Sequence, residues 1–593
     1  MCAIRPKGAC LGLQAPPVQA DGTRNEVTHA GMPEHEPTAP TPISRKLDEN
    51  AQEMRTRLGI GISFDILERP LEIGGRRALC YFVDGFIKDK VTADIFASLQ
   101  ETERGEIVPN VVRKLLARRI PYFEVDTVDS IEKAVQSVMA GPLVLFVDQE
   151  DTAIAIDVRE FPTRSIEEPD LEKVTRGSHE GLAETLVFNT AMIRRRLRDP
   201  RLRFEIQQVG RRSRTDVAVG YIADIADHGL VDQVKQRIRE ASVDALPMGV
   251  KNLEEIIVKS PWNPLPKVRY TERPDVAIAH LLEGHVIVLV DTTPMAMILP
   301  VTFFHFFEHA EEFFQSPPIG TYLRWVRATA FVVATVLTPL WLALYLSKPA
   351  LPQWLQFVGP QETSVVPVWL QFFILELGID LIRMALIHTP TALATSLGIV
   401  GAILLGDLAV TVGLFVPETV LYTAVTSIGY FAIPSLEFAY CLRLYRYCLL
   451  ALAALFRLPG LAAGLVAGFL ALAFTRSMNV PYLFPLIPFH GPSLVKALFR
   501  LPVPAVGQRP PLIGNRQSDR TRTQGEGAGD RGGAGEAAPA RASGAQQDGA
   551  AGTRAPSGRR PLRRRMTNPR RPRVLLAPRK AGSSSARSQP GDD

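Results

Sequence analysis

The chain has 593 residues, of which 46% are hydrophobic and 22% are charged, and its mean hydropathy is +0.07. These averages exclude a collagen-like chain, a wholly disordered chain and a bundle made only of membrane helices. The net charge of +6 is mildly basic and is compatible with contact to nucleic acid, an anionic membrane face or a basic tail. An average does not choose among these, so the segments are taken in chain order.

Cysteine usage and the N-terminus indicate a cytosol-facing protein. The five cysteines are odd in number and form no CxxC pair, which argues against a disulfide framework or a zinc site and favours a reducing compartment. Residues 1–20 contain no apolar run of the length found in secretory signals. We therefore expect membrane insertion to come from internal segments, and we expect no cofactor.

Residues 1–300 predict a mobile tail followed by two small α/β units. Residues 1–57 are rich in Pro, Thr, Glu and Ala, and only a short helix near Ile43–Arg57 is expected there. Apolar runs and helical spacings then alternate, so subdomains are predicted over 58–180 and 181–300. The predicted strands are Ala78–Val83, Leu143–Asp148, Ala153–Val158, Phe204–Val209, Asp216–Ile222, Val286–Val290 and Ala296–Leu299, and the predicted helices are Ser130–Met139, Gly181–Arg198 and Leu230–Ala241.

The following residues predict an α-helical polytopic membrane domain. An aromatic stretch over 301–327 favours an amphipathic juxtamembrane helix. The uncharged run Ala328–Leu346 then extends about 28 Å as a helix, close to the thickness of a bilayer core. Five or six membrane segments are predicted over 328–476, the others being Val368–His388, Ala392–Val416, Glu418–Ile433, Leu436–Phe456 and Leu461–Thr475. The last pair could be two helices, a re-entrant hairpin or one kinked span.

Charge beside the first span sets the expected orientation. Arg324 and Arg327 precede the span, whereas the loop after it holds only Lys348 as a basic residue. The positive-inside rule therefore places the α/β region in the cytosol, with the segment 477–504 on the same side. Residues 505–593 have almost no large apolar residues and are predicted to be a disordered basic tail.

One short motif resembles a metal-binding pattern. His305-Phe-Phe-Glu308-His309 matches the H-x-x-E-H pattern of inverted zinc peptidases. Two histidines four residues apart would share a helix face, as a zinc pair requires. The pattern is short, no third ligand is evident, and the surrounding phenylalanines favour a helix at the membrane surface. No metal site is therefore predicted, and a membrane metallopeptidase centred on these histidines is an alternative.

A dense arginine cluster lies in the second α/β unit. Its candidate interface residues are Arg194, Arg195, Arg196, Arg211 and Arg212. They favour a subunit interface or attraction to an anionic lipid leaflet, and the alternative is a set of solvated or paired side chains. Nucleic-acid binding is not predicted, because neither a helix-turn-helix nor interleaved aromatic residues are evident.

Ionisable residues within the predicted spans are the strongest physical indication of function. Glu376, Asp380 and Arg383 lie at i, i+4 and i+7 on one helix face, and Asp407 is isolated in an apolar segment. Each costs about 2.5–3.5 kcal/mol at a bilayer centre on insertion scales. These four residues are predicted to line an ion pathway in an oligomer, and a structural buried ion pair is the alternative.

Several blocks of the sequence resemble the GerA spore-germination family. They are Val174–Asn189, Ile193–Arg201, Gln208–Val217, Tyr221–Asp227, Glu376–Arg383, His388–Ala394 and Val412–Glu418. Two more, Trp262–Asp275 and Pro317–Val326, look most like the SpoVAF branch of this family, which is paralogous to the A subunits of germinant receptors. The resemblance covers about residues 58–500 and leaves both tails uncovered.

The resemblance implies a non-enzymatic integral protein of the spore inner membrane with its N-terminal domain in the spore core. Family A subunits are thought to form oligomeric, ligand-gated cation channels, and SpoVAF-like members are thought to conduct ions with a small membrane partner. The implied partners are membrane lipid, further copies of the chain, that small partner or germinant-receptor subunits, and monovalent cations. A non-conducting scaffold that recruits germination partners through its α/β units is the alternative.

Overall fold

The chain folds into an α/β region followed by a helical region, which confirms the predicted fold class. The computed structural model describes residues 40–107, 111–118, 120, 124–161, 169, 172–259, 262–348, 352–355, 358–388, 398–399, 401, 403–509 and 511. Residues 1–39 and 512–593 of the two predicted disordered tails lie outside the described residues. Residues 40–57 of the predicted N-terminal tail are described, and the short helix expected near Ile43–Arg57 forms there as Leu47–Leu58.

The first α/β unit is a five-stranded antiparallel sheet with helices on both faces. Its strands are β1 (Ile66–Ile73), β2 (Arg76–Val83), β3 (Val125–Val128), β4 (Leu143–Val147) and β5 (Ala153–Ile156), in the order β1-β2-β4-β5-β3. Its helices are α1 (Leu47–Leu58), α2 (Asp89–Gln100), α3 (Arg104–Ile107), α4 (Val111–Arg118) and α5 (Ile131–Ala140). Side chains alternate along β2, so that Tyr81 and Val83 pack with α1 and α5 while Cys80 and Phe82 pack with α2 and α4.

The second α/β unit repeats the topology of the first. Its strands are β6 (Leu202–Val209), β7 (Thr215–Ile222), β8 (Arg269–Thr271), β9 (Val286–Val290) and β10 (Ala296–Leu299), in the order β6-β7-β9-β10-β8. Its helices are α6 (Leu186–Arg196), α7 (His228–Arg239), α8 (Val250–Val258) and α9 (Pro274–Leu281). Helices α7 and α8 cover one face and α6 and α9 the other. Each unit begins with two paired strands and continues with helices, an edge strand, one more helix and a final hairpin.

A buried ion pair joins the two units. Arg194 at the end of α6 is fully buried, and its Nε donates to the Oδ2 of Asp65 at 2.5 Å. The same guanidinium donates to the other oxygen of Asp65 at 3.1 Å and to the Leu202 carbonyl at 3.1 Å. Arg203 adds a second link through the Leu58 carbonyl at 2.8 Å. Arg194 therefore holds the units together and is not available to another subunit, which corrects its assignment to an interface.

The helical region follows the second unit. Its first helices are α10 (Ala310–Phe314), α11 (Pro317–Leu346) and α12 (Val368–His388). A π-helical segment (Ile403–Leu408) then continues into α13 (Ala409–Thr411), which is followed by α14 (Pro417–Phe431) and α15 (Leu436–Phe474). After α15 come the short strands β11 (Arg476–Ser477) and β12 (Val480–Pro481) and the helix α16 (Gly491–Leu498). Short 3₁₀ helices occur at Phe303–Phe306, Gln353–Leu355 and Val503–Ala505. Among the described helices, α11 and α15 are long and apolar enough to cross a membrane, judged by length and composition.

Helix α15 is a hairpin of two antiparallel arms. Its backbone leaves helical geometry at Arg457, where φ is 56° and ψ is −137°. The second arm returns along the first, and the Tyr445 hydroxyl donates to the Gly464 carbonyl at 2.9 Å. A Cβ on Gly460 would stand 2.2 Å from the Leu452 carbonyl oxygen, so the reversal needs glycine there. The last pair of predicted segments is therefore a helical hairpin and not one kinked span.

Both ends of the helical region lie against the α/β region. At its start, the Thr175 hydroxyl of the α/β region donates to the Glu311 carboxylate of α10 at 2.6 Å. After α15, Ser477 donates its hydroxyl to the Lys267 carbonyl at 2.6 Å, and Tyr482 donates to the Pro266 carbonyl at 2.9 Å. The α/β region therefore holds the helical region at both of its ends.

The predicted amphipathic helix over 301–327 does not form as one helix. The 3₁₀ helix Phe303–Phe306 and α10 precede Pro317, and a proline pair then begins α11, since proline suits the first turn of a helix. Phe306 is buried and stacks on Phe438 of α15 with ring centroids 5.3 Å apart. Phe306 therefore packs between the α/β and helical regions, whereas Phe313 and Phe314 of the same stretch are 54% and 37% exposed.

Replacing Arg194 by leucine should lower the free energy of unfolding by about 3–5 kcal/mol, because Asp65 would stay charged in a buried site without its partner. The matched control is Arg211→Leu, since the Arg211 side chain is 81% exposed in its pair with Asp244 and should contribute about 1 kcal/mol or less. Chemical unfolding of the detergent-solubilised chain, followed by circular dichroism, measures both changes. Equal effects of the two substitutions would contradict the linking role.

Candidate ion site in the helical region

Charged side chains of α12 and α15 meet inside the helical region. Helix α12 places Glu376 and Asp380 one turn apart on the same face, as their spacing predicts. Glu376 is fully buried; its Oε2 contacts the Arg446 guanidinium and lies 3.6 Å from that of Arg443. A carboxylate in such an environment is stable only with cationic partners. The site is therefore built around an ion-pair cluster.

Arg446 connects a third helix to this cluster. Its Nη1 donates to the Ala334 carbonyl of α11 at 2.7 Å, while its Nη2 binds Glu376. Arg443 also donates to the Glu376 main-chain carbonyl at 3.1 Å. Helices α11, α12 and α15 thus share one polar site within an apolar bundle, and the site fixes their relative depth.

Asp380 has a more open environment than Glu376. Its Oδ1 lies 2.7 Å from the Nη1 of Arg443, and its Oδ2 accepts a hydrogen bond from the Tyr447 hydroxyl at 2.9 Å. Its side chain is 27% exposed. Asp380 can therefore exchange a hydrogen-bond partner for water or a cation, whereas Glu376 is enclosed.

Arg383 contacts aromatic rings and not the neighbouring carboxylates. Its guanidinium carbon lies 4.7 Å from the ring centre of Tyr440 and 5.0 Å from that of Tyr430, which is cation–π geometry. The cations that compensate Glu376 and Asp380 come from α15 instead. Two arginines three residues apart in a predicted span are a sequence signal for this pairing, because an intramembrane charge normally has a partner.

Asp407 lies apart from the ion-pair cluster. It occupies the π-helical segment and is exposed. Within the described parts of the chain, no hydrogen bond or ion pair to its carboxylate occurs; only its main-chain carbonyl accepts one, from the Thr411 hydroxyl at 2.8 Å. The four predicted pathway residues are thus in four environments: Glu376 is enclosed, Asp380 is partly exposed, Arg383 contacts aromatic rings and Asp407 is exposed.

The remaining arginine candidates form two separate surface groups. Arg195 and Arg196 both pair with Glu180, at 3.6 and 2.6 Å. Arg211 and Arg212 both approach Asp244, at 2.6 and 3.9 Å, and their side chains are more than 80% exposed. These four side chains can reach a partner surface, unlike Arg194.

The histidines of the H-x-x-E-H motif do not share a helix face. His305 lies in a 3₁₀ helix, whereas His309 is the N-cap of α10 and its Nδ1 accepts a hydrogen bond from the Glu311 N–H at 3.2 Å. The zinc-peptidase geometry is therefore absent from this motif. His305 instead contacts the rings of His280 and His285. Burial lowers the pKa of His285 and of His305 to about 3, and it lowers that of His280 well below its usual range.

A double-mutant cycle on Glu376→Gln and Arg446→Met should give a coupling energy of about 1–3 kcal/mol, because each single change leaves a buried group without its main partner. Thermal unfolding in detergent measures the cycle. The control pair is Lys251→Met with Glu437→Gln, whose side chains are 50% and 36% exposed; its coupling should stay below about 1 kcal/mol. Equal couplings would contradict a structural role for the buried pair.

Known proteins with similar sequences cover most of this chain. It is 40% identical to the Stage V sporulation protein AF of Bacillus subtilis (strain 168) over 482 residues, which are 81% of this chain and 98% of that protein. It is 31% identical to the spore germination protein GerLA of Bacillus cereus over 80% of this chain and 97% of that protein. The identity is higher to the first of these two proteins, which agrees with the predicted SpoVAF branch.

A solved structure and a family model also match parts of this chain. The N-terminal domain of the A subunit of the Bacillus megaterium spore germinant receptor GerK3 matches 45% of this chain and 99% of its own, with 25% identity and a TM-score of 0.36. The family model described as Bacillus/Clostridium GerA spore germination protein matches residues 52–512. The chain therefore belongs to the GerA spore germination protein family.

Proposed function

We propose that this chain is a non-enzymatic protein of the spore inner membrane and a subunit of an oligomeric complex that conducts monovalent cations during germination. Relatives named for sporulation and spore germination support the biological setting. Helices α11 and α15 support membrane insertion. Arg324 and Arg327 at the start of α11 favour an α/β region that faces the spore core.

The exposed carboxylate of Asp407 is the observation that carries the proposal. Its neighbours Ile403 and Leu408 have side chains that are 54% and 49% exposed, so the surrounding surface is apolar. A carboxylate that faces lipid costs about 2.5–3.5 kcal/mol on insertion scales. In a membrane, water or another subunit must therefore cover this surface. A water-filled path between subunits would hydrate the carboxylate, and the neighbouring subunit would cover the apolar side chains around it.

Assembly of several copies would convert single carboxylates into a ring. One Asp407 from each subunit would raise the local concentration of cations, as rings of acidic side chains do in cation channels. Asp380, with its 27% exposed side chain, is a second candidate along such a path. Glu376 is neutralised by arginines and is better suited to hold the bundle together.

The outer faces of α12 and α14 are suited to lipid and to neighbouring subunits. Leu381 and Met384 of α12 are both 60% exposed, and Ile428 of α14 is 71% exposed. Their apolar surface would be buried by acyl chains or by a second copy. The proposed partners are membrane lipid, further copies of the chain, and a small membrane partner or germinant-receptor subunits.

A non-conducting scaffold is the second candidate function. It is favoured by the burial of Glu376 against Arg443 and Arg446 and by Arg211 and Arg212, whose side chains are 81% and 84% exposed on the α/β region. A scaffold would recruit germination partners through this basic surface and would not need a continuous polar path. Electrical recordings separate the two candidates directly.

Asp407→Asn should reduce cation conductance of the purified oligomer in planar bilayers by roughly 10-fold, because removing the carboxylate removes the local attraction for cations. Glu255→Gln is the matched control, since Glu255 is an exposed carboxylate on α8 of the α/β region, and its conductance should equal that of the wild type. Unchanged conductance of Asp407→Asn would exclude this residue from the path. An intact oligomer without any conductance would favour the scaffold.

A further inference from the structure

Three histidine rings meet where the second α/β unit joins the helical region. His280 lies in α9, His285 precedes β9, and His305 lies in the 3₁₀ helix Phe303–Phe306. The ring centroids of His280 and His285 are 5.0 Å apart, and those of His305 lie 5.5 and 5.1 Å from them. His280 and His285 are 5% and 1% exposed. The proposed ion path of α12 and the π-helical segment does not use this cluster.

Hydrogen bonds fix the outward nitrogens of two rings. The Nδ1 of His280 lies 2.9 Å from the Val276 carbonyl oxygen, and the Nδ1 of His285 lies 2.7 Å from the Pro300 carbonyl oxygen. Because a carbonyl only accepts, both Nδ1 atoms carry the proton, and each neutral ring keeps a lone pair on Nε2. This is the arrangement that fixes the ring orientation of metal-binding histidines.

The third ring cannot satisfy both of these lone pairs. The Nδ1 of His305 accepts a hydrogen bond from the Thr302 N–H at 3.1 Å, so the neutral ring has a single N–H, on Nε2. The Nε2 atoms of His280 and His285 are both buried, and neither has a hydrogen-bond partner among the described residues. One N–H can donate to only one of two lone pairs. At least one buried acceptor therefore requires a further partner, since leaving it unpaired costs about 1–3 kcal/mol.

A carboxylate completes a ligand set beside these rings. Three possible ligand atoms, one each from His280, His305 and Glu308, lie within 4.8 Å of one another. Glu283, His285 and His305 form an overlapping set with the same spacing. Two imidazoles and one carboxylate are a donor set that zinc accepts, with a fourth position left for another ligand.

We propose that His280, His305 and Glu308 bind one divalent transition-metal ion of the zinc class. Both ligand sets use His305, so a single ion is expected per chain. The ion satisfies the Nε2 lone pair of His280, and that of His285 then needs a water molecule from the adjoining cavity, which His285 also lines. When Nε2 of His305 binds the ion, its Nδ1 carries the proton and no longer accepts from the Thr302 N–H. The ring must then turn its N–H to the Thr302 hydroxyl, which lies 3.5 Å away. A cavity of about 150 Å³, lined by Phe304, His305 and Glu308, provides the fourth position.

The surrounding charges fit a bound dication. Two opposing cations lie near the ligand set: Arg269 donates to the main-chain carbonyls of His305 and Glu308 at 2.8 and 3.0 Å, and Arg324 approaches the Glu308 carboxylate. Glu172 lies 3.7 Å from Arg269 and offsets its charge. Tetrahedral zinc places ligand atoms about 3.4 Å apart, so the set must contract by roughly 1 Å around the ion. The non-helical backbone between the 3₁₀ helix and α10 can accommodate that shift.

The ion would connect the α/β region to the first long helix. The Oε1 of Glu308 lies 3.9 Å from the Nη2 of Arg324 in α11. A metal that draws the Glu308 carboxylate toward His280 competes with this contact. Metal occupancy would therefore alter the junction at which α11 begins, and a metal-dependent thermal stability of the whole chain should accompany binding.

Cobalt(II) titration of the tag-free, chelator-stripped, full-length protein in detergent tests the proposal, with zinc as the competitor. The wild type should bind one equivalent, show visible absorption of low-symmetry cobalt, and melt at a higher temperature with zinc. His280→Gln and Glu308→Gln should each weaken binding at least about 10-fold, because even indirect contacts of metal ligands contribute 10–100-fold. His179→Ala replaces an exposed histidine outside the cluster and should leave binding unchanged.

Two results would overturn the proposal. One is the absence of stoichiometric cobalt and zinc binding by the folded wild type, in which case the histidine lone pairs have a solvent partner only. The other is wild-type affinity in His280→Gln or in Glu308→Gln, which would assign any bound ion to other residues. Glu308 is 23% exposed, so its substitution provides a folded test if the buried His280 variant does not fold.

Discussion

A carboxylate buried among apolar helices needs a cation at the same depth, and this constraint organises the helical region. Glu376 has no access to solvent, so α15 must present Arg446 and Arg443 at its level. Arg446 also binds the Ala334 carbonyl, so α11 is held in the same register. A shift of any of these helices by one turn, about 5.4 Å, would separate the charges. Apolar packing alone would tolerate such a shift far more easily.

The same principle operates where the α/β region meets the helices. Glu312 of α10 is fully buried between Arg324 and Arg327 of α11. Burial raises the pKa of Glu312 although both arginines oppose that change. Stacking of Phe306 on Phe438 adds apolar contact beside this pair. The charged and apolar contacts therefore lie side by side where the chain enters α11 and packs against α15.

Sequence patterns predicted the helices and strands, but they did not predict which charged side chains would form ion pairs between helices. The central strands were recognisable because runs such as Val286–Val290 are wholly apolar, whereas the edge strands β3 and β8 are short and partly polar. The i, i+4 spacing correctly placed Glu376 and Asp380 on one face, because helical geometry is local. Arg383 was placed on that face for the same reason, but it contacts aromatic rings. The true partners, Arg443 and Arg446, lie about seventy positions later and face α12 only through tertiary packing.

Identical chemical groups therefore have opposite roles in this bundle, and exposure separates them. The Glu376 carboxylate is enclosed with two guanidinium groups, so its charge stabilises the packing of α12 against α15. The Asp407 carboxylate is exposed on an apolar surface, where a stable membrane protein must surround it with water or another subunit. A pathway for cations needs accessible carboxylates, because a carboxylate enclosed with two arginines attracts a further cation only weakly. The proposed path thus follows the accessible carboxylates of Asp407 and Asp380, whereas the enclosed Glu376 holds the surrounding helices together.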